Sequence, residues 1–420
     1  MASHKLYNTA WRLATPLGKL WLKRGNHAAL VERFNPGITS TGKATLWVHA
    51  CSLGEVNTAK PLLDALKHRY PQAHVLLTVS TQSGMNRAQE LLRHDEVTWC
   101  PFDTPAAVKK FYDQLQPVAV FVIESEFWPN LFGQAKQRGI PLILVNGRIS
   151  DKHMANYKKW KRFYTPVFNA ITLACMQSDR SAERARDLGT PPDRVCTTGN
   201  IKFDGARIEA SPKDRAQRQR MLGLGPGHPL LLFGSTRPGD EALASACWMT
   251  LREEHPTMKL MVAPRHLDRV GEVLALFTEP VFRFSEQKNG KLLRDERVIL
   301  LDTIGELSSF YAIATIAVIG GSFYPPVGGH NPIESAALGV PTIFGPYMEN
   351  FLDPALTLIQ ARGAIQVSCT EDLYECLSGL LKAPAELRQL GTRGRKAVLD
   401  AQGALVRTLE AAEKYITLGD

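Results

Sequence analysis

The sequence predicts an α/β protein made of two successive parallel-sheet domains, on three observations. At 420 residues the chain is too long for one ordinary hydrophobic core. Its strand-like runs are continuously apolar and separated by helical stretches, the pattern of a parallel sheet covered on both faces. The series also restarts after Asp204, past a charged, glutamine-rich stretch from Gly205 to Gly227 that reads as the junction. The boundaries are then an amphipathic segment 1–40, a first domain 41–206, a second domain 207–395 and a final piece 396–420. That piece lies in one long helix of about 384–418, expected to cross back to the first domain.

The elements follow in order. Leu6, Trp11, Leu13, Leu17, Leu20, Trp21 and Leu22 are mixed with Lys5, Arg12, Lys19, Lys23 and Arg24. Tryptophan, leucine and cations together suit a helix lying in a membrane interface, or else one docked on its own protein; Pro16 is expected to kink it either way. The opening Met1-Ala-Ser reads as an added leader. Strands are expected at 45–50, 74–80, 118–123, 141–145, 171–176 and 195–198, with helices at 54–69 and 84–93. In the second half, strands are expected at 229–234, 258–263, 298–301, 316–319, 342–344 and 364–367, with a helix at 238–254.

Composition narrows the classes. Hydrophobic content of 44% with 22% charged residues is that of an ordinary globular protein. The excess of 50 basic over 41 acidic residues, +9, favours anionic lipid or phosphorylated substrates. No basic run with interleaved aromatics marks a nucleic-acid surface. Seven cysteines without paired metal spacing imply neither structural zinc nor a disulfide framework, and fit a reducing cytoplasm. No apolar run is long enough to span a membrane.

The richest stretch is 317–341, in which a buried strand runs into Gly320-Gly-Ser-Phe-Tyr-Pro-Pro-Val-Gly-Gly-His-Asn-Pro-Ile-Glu334. Asn331 suits a helix N-cap, Pro332 the first helical position and Glu334 the third. Glycines 320, 321, 328 and 329 are expected to let a ligand approach the backbone, and the helix start to offer N–H groups to a phosphate. The plainer alternative is a capping pair of Asn331 with Glu334.

Five further constellations stand after strands. His49-Ala-Cys-Ser-Leu-Gly-Glu55 opens a helix, so Glu55 is a candidate general base, or simply a carboxylate favoured by the dipole. The helix start lowers its pKa and an apolar surround raises it; the sequence leaves the winner open. Glu124 and Glu126 follow a buried strand and, by strand alternation, share a face; one of them has Arg148 as an alternative partner. Lys202 lies in Thr197-Thr-Gly-Asn-Ile-Lys-Phe-Asp204, where it serves either a leaving phosphate or the surface. Pro264-Arg265-His266 offers the Arg265 fork to a phosphate or a pyrimidine edge. Ile304-Gly305-Glu306 is a turn whose backbone suits a base, and Gly234-Ser-Thr236 is a similar loop.

Taken together and in order, Ser52-Leu-Gly-Glu-Val-Asn-Thr-Ala, Glu124-Ser-Glu-Phe-Trp-Pro-Asn, Gly199-Asn-Ile-Lys-Phe-Asp, Ala263-Pro-Arg-His, Gly305-Glu-Leu and Gly328-Gly-His-Asn-Pro-Ile-Glu closely resemble the 3-deoxy-D-manno-octulosonic acid (Kdo) transferases of lipopolysaccharide assembly. The resemblance implies the GT-B fold, two facing Rossmann-like domains with a crevice between them. It implies Glu55 as general base, with Glu124 and Lys202 stabilising the transition state. Pro264, Arg265, Ile304, Gly305, Glu306, Asn331, Pro332, Ile333 and Glu334 would hold CMP, the last of these glutamates on the ribose. It further implies inverting transfer from CMP-Kdo to lipid IVA at the cytoplasmic face of the inner membrane. Neither cofactor, metal, nucleic acid nor obligate protein partner is expected. Two rivals are a nucleotide-sugar epimerase, which needs no acceptor, and a non-catalytic protein that binds acidic lipid.

Overall fold

The computed structural model describes residues 2–24, 28–35, 37–38, 42–289 and 293–418. Met1, the boundary read at 40/41, and the side chains of Lys19, Lys23 and Arg24 lie outside the described residues. The chain divides into two units, Met1–Gly205 with Gln402–Asp420, and Ala206–Ala401.

The first unit carries seven strands: β1 Thr45–Ala50, β2 His74–Val79, β3 Val97–Trp99, β4 Pro117–Ile123, β5 Leu142–Gly147, β6 Leu173–Met176 and β7 Val195–Thr197. They pair in the order β3-β2-β1-β4-β5-β6-β7, every pairing parallel. Continuous apolar runs such as Pro117–Ile123 are explained by burial on both faces. Trp47 and Val120 face one core cluster, while Leu46 and Phe121 face another. Each large side chain so buried is worth roughly 1.5–3 kcal/mol. The sheet order reverses between β1 and β4, so the loops after these two strands splay apart and leave a crevice at their carboxyl ends.

The second unit repeats this plan: β8 Leu230–Thr236, β9 Lys259–Pro264, β10 Val281–Arg283, β11 Val298–Leu300, β12 Ile316–Ile319, β13 Thr342–Phe344 and β14 Ala364–Gln366. The order is β10-β11-β9-β8-β12-β13-β14, again all parallel, with its reversal between β8 and β12. The strand expectations match these elements to within a few residues. β3 and β10, three residues each, are absent from the sequence reading.

Two differences have clear causes. The stretch read as a junction contains a helix, Pro212–Met221, with Pro212 at its first position and none of its residues buried. Its polarity marks an exposed helix rather than a linker. The long final helix is two helices, Pro384–Ala401 and Ala404–Glu413, parted where Gly403 takes φ 87°. Asp204 receives the N–H groups of Gly403 at 2.7 Å and Leu405 at 2.5 Å, capping the second helix against the first unit. The helix Ala2–Arg24 includes Pro16 within its span.

That first helix divides its faces. His4 bonds the carbonyl of Phe163 at 2.9 Å, Tyr7 donates to Asp103 at 3.0 Å, and Trp11 packs against Phe102. On the other face Leu6, Leu13, Leu17 and Trp21 are each about two-thirds or more exposed (73%, 72%, 71% and 67%). Among the described residues no helix is long and apolar enough to cross a membrane.

Candidate active site

In the first unit, the loops after β1 and β4 bring three carboxylates together at the reversal of the sheet. Ser52 caps the helix Leu53–Arg69 by accepting the N–H of Glu55, and Glu55 Oε2 reaches back to the N–H of Cys51 at 2.5 Å. Glu55 is therefore a capping residue, and it is also more than one. Its Oε1 has no partner among the described hydrogen bonds, and the Cβ position of the neighbouring Gly54 is open apart from Ser52 Oγ at 3.9 Å. Burial, helped by Glu126 and Glu124, pushes its carboxyl up to about 8 against the pull of the Cys51 N–H and His49. The competition that the sequence leaves open is decided by desolvation.

Glu124 and Glu126 do not alternate as strand residues, because β4 ends at Ile123. Glu124 turns at φ 57°, a left-handed conformation costing a non-glycine residue on the order of 1 kcal/mol. That turn directs its carboxylate to Lys202, whose Nζ lies 3.0 Å from Oε1. The salt bridge described for Glu124 is thus with the lysine rather than with Arg148. Glu126 accepts the indole N–H of Trp128 at 2.8 Å and stands 3.9 Å from Nε2 of His49. Burial opposes its charge, but His49, Trp128 and Cys51 hold Glu126 below the usual carboxylate range.

The placement of Lys202 rests on residues the sequence reading passed over. Asn146, one residue before the end of β5, takes φ 55° and receives the N–H of Ile201 on its side chain at 2.9 Å. Gln177, just after β6, donates to the carbonyl of Asn146 and accepts from Asn200. Asn200 in turn accepts the N–H of Lys202 at 3.0 Å. The one available signal was position: amide side chains at or near the carboxyl ends of strands, where a buried polar residue needs a reason.

In the second unit the nucleotide candidates gather after β9, β11 and β12. Pro264 is buried at the end of β9, and Arg265 beyond it is exposed. Glu334, which burial raises above the usual carboxylate range, accepts from Asn331 Nδ2 at 3.1 Å; Asn331 and Arg265 pull its pKa back down. Pro332 and Ile333 are buried beside them. Ile304 is 86% exposed, and at the Cβ position of Gly305 nothing comes within 4 Å. Glu306 is held by Arg218 at 3.2 Å, from the helix the sequence reading took for a junction, and Arg218 also covers the ring of Phe310.

Two expectations for the glycine-rich loop need correction. The helix after it is only Ile333–Ala337, and Asn331 Oδ1 already takes the N–H of Ile333 at 3.0 Å. So short a helix, with that donor used, is a weak anion seat. The glycines, moreover, make room for protein atoms. A Cβ on Gly320 would meet the carbonyl oxygen of Ser235 at 2.6 Å, and one on Gly321 would meet the His330 ring at 2.9 Å. Among the described residues, no group of three or more His, Cys, Asp or Glu side chains is placed to hold a metal ion.

Comparison with known proteins gives a consistent set. A family model described as 3-deoxy-D-manno-octulosonic-acid transferase (kdotransferase) matches residues 28–205. The 3-deoxy-D-manno-octulosonic acid transferase of Haemophilus influenzae is 31% identical over 379 residues, covering 88% of this chain and 87% of that protein. The protein of the same description from Bordetella pertussis is 29% identical over 432 residues, covering 98% and 99%. Among solved structures, UDP-GlcNAc 2-epimerase from Neisseria meningitidis bound to UDP-GlcNAc aligns with a TM-score of 0.58 at 12% identity, over 88% of this chain and 100% of that one. At that identity the likeness shows the shared two-unit α/β fold of GT-B type and nothing of the chemistry.

Proposed function

This chain belongs to the 3-deoxy-D-manno-octulosonic acid (Kdo) transferase family of glycosyltransferases, and on that premise we propose that it moves Kdo from CMP-Kdo to a hydroxyl of lipid IVA with inversion. The observation that carries the reading is Glu55, a buried carboxyl raised to about 8, with one oxygen tied by Cys51 and the other available. A general base is most useful when its proton affinity lies near the working pH.

The chemistry then runs as follows. Glu55 Oε1 takes the proton of the acceptor hydroxyl as that oxygen bonds to the anomeric carbon. The bond from that carbon to the phosphate oxygen breaks, and CMP leaves with the electron pair. Glu124 and Lys202, locked as a pair, stabilise the charge that develops. Arg265, the 304–306 turn and Asn331–Glu334 hold the nucleotide, with Glu334 on the ribose hydroxyls. Protein cations supply the charge neutralisation, so the step is written without a metal.

The exposed leucines and Trp21 of the first helix, together with a formal charge of +9, support a peripheral position on an anionic membrane surface, where an acylated acceptor resides. The test is to incubate the protein with lipid IVA and freshly made CMP-Kdo and weigh the lipid, with Glu55→Ala alongside. Gain of whole Kdo units by wild type only is the expected result. No gain with competent donor and detergent would sink the transferase reading, and donor turnover without acceptor would favour an epimerase.

A further inference from the structure

If the short helix at Ile333 is a weak anion seat, the negative charge of a nucleotide-sugar donor needs another one. The second unit contains a candidate centred on Arg237, a residue outside every motif above. Its sheet places β9, β8 and β12 side by side, so the loops after them are neighbours at the reversal point. The loop after β8 contributes Arg237, the loop after β9 contributes Arg265 and His266, and the glycine-rich loop after β12 contributes His330.

These side chains meet. Arg237 Nε donates to His330 Nε2 at 3.2 Å, and Nη1 stands 2.5 Å from His266 Nε2. Burial first, then Arg237, Arg265 and His266, press His330 down to about 4, so its ring is a neutral acceptor at physiological pH. Arg237 itself is depressed by burial and by the charges of Arg265 and Arg269. Arg269 is neutralised by the buried Glu241, whereas among the described residues no carboxylate forms an ion pair with Arg237 or Arg265. The nearby carboxylate, Asp240, spends Oδ2 on the backbone N–H groups of Arg237 and Gly321. The guanidinium thus has two of its donors spent on imidazoles and the others unassigned, in a fork that matches a planar or tetrahedral oxyanion.

We propose that Arg237, steadied between His266 and His330 and reinforced by Arg265, is the seat of an oxyanion of the donor. Gly321 belongs to the same device, since any side chain there would displace the His330 ring that orients Arg237. The donor carries two such groups, the phosphate diester and the sugar carboxylate, and both share the chemistry recognised. The inference rests on the donor reading above.

Calorimetric titration of the full-length chain with cytidine and with CMP, for wild type, Arg237→Gln and Arg237→Lys, tests it. A phosphate seat predicts that wild type prefers CMP over cytidine by about tenfold or more, that Arg237→Gln erases the preference while leaving cytidine affinity alone, and that Arg237→Lys keeps part of it. A carboxylate seat predicts an unchanged CMP-to-cytidine ratio, but a KM for CMP-Kdo raised about tenfold in Arg237→Gln with kcat nearly constant. If neither the ratio nor that KM moves in a variant that melts like wild type, the seat is wrong. Should wild type bind no cytidine compound, the donor reading fails separately, and inorganic phosphate decides. A rise in Tm in wild type that Arg237→Gln loses would keep the seat, and no rise would overturn it.

Discussion

The two units share a sheet plan and differ in the charge they place at its reversal. After β1 and β4 stand Glu55, Glu124 and Glu126, crowded acids with Lys202 as the cation paired to one of them. After β8, β9 and β12 stand Arg237, Arg265, His266 and His330, with the carboxylate of Asp240 turned to backbone donors. The acidic crevice raises the proton affinity of Glu55, and the basic one depresses that of His330. The scaffold sets where a side chain ends up, and the few residues after each strand set what it can do there.

The largest effect should come from the acidic side. Replacing Glu55 by Gln keeps its shape and removes the base, and is expected to lower kcat by about 10²–10⁴. Wild-type activity should rise with pH through about 8, because a general base at Glu55, as proposed, acts deprotonated. Stability runs the other way: a carboxyl raised in the fold favours folding while protonated, and that contribution is lost as pH climbs through 8. Glu55→Gln should therefore melt at least as high as wild type at pH 9. Removing a neighbouring negative charge by Glu126→Gln should move the acid limb of the rate profile to lower pH. An unmoved limb would mean that Glu126 does not tune Glu55.

Next in size is the Glu124–Lys202 pair. Lys202→Met is expected to cost about 10²-fold in kcat if the pair stabilises the transition state. It also strands Glu124, so Glu124→Gln with Lys202→Met should recover melting temperature without recovering rate. Recovery of both would make the pair structural. On the basic side the expected change is smaller and of another kind: Glu334→Ala should raise the KM for CMP-Kdo about tenfold with kcat nearly kept, since the proposed role of Glu334 is to hold the nucleotide and not the reacting bond.

This contrast also explains how much was legible in the sequence. Strands β1, β4, β8 and β12 are visible because buried parallel strands are unbroken apolar runs; Glu124 is visible because it directly follows β4, and Glu55 because it stands in the first turn of the helix after β1. The partnership of Glu124 with Lys202 is invisible, because it depends on a left-handed turn and on the Asn146–Gln177–Asn200 chain of hydrogen bonds. The purpose of the glycines was misread because a glycine marks only the lack of a side chain. Whether a ligand or a protein ring fills the space is a tertiary fact. Arg237 was passed over for a similar reason, since nothing in Gly234-Ser-Thr-Arg237 says that two imidazoles from distant loops will grip it.

The smallest expected effect separates the chemistry of the acidic crevice from its support. Asp103 is buried and raised to about 7, yet it accepts the N–H groups of Asn130 and Leu131, capping the helix that follows the Glu124–Glu126 turn. Tyr7 of the first helix donates to the same carboxylate, so the exposed leucines are fastened to the body close to that turn. Tyr7→Phe removes one partly buried hydrogen bond and should lower stability by about 1 kcal/mol. Because Tyr7 is not among the main groups that set the proton affinity of Glu55, the midpoint of the rate profile should stay where it is while binding to anionic vesicles weakens. A shift of that midpoint together with the loss of vesicle binding would mean that docking of the first helix sets the burial on which the base depends.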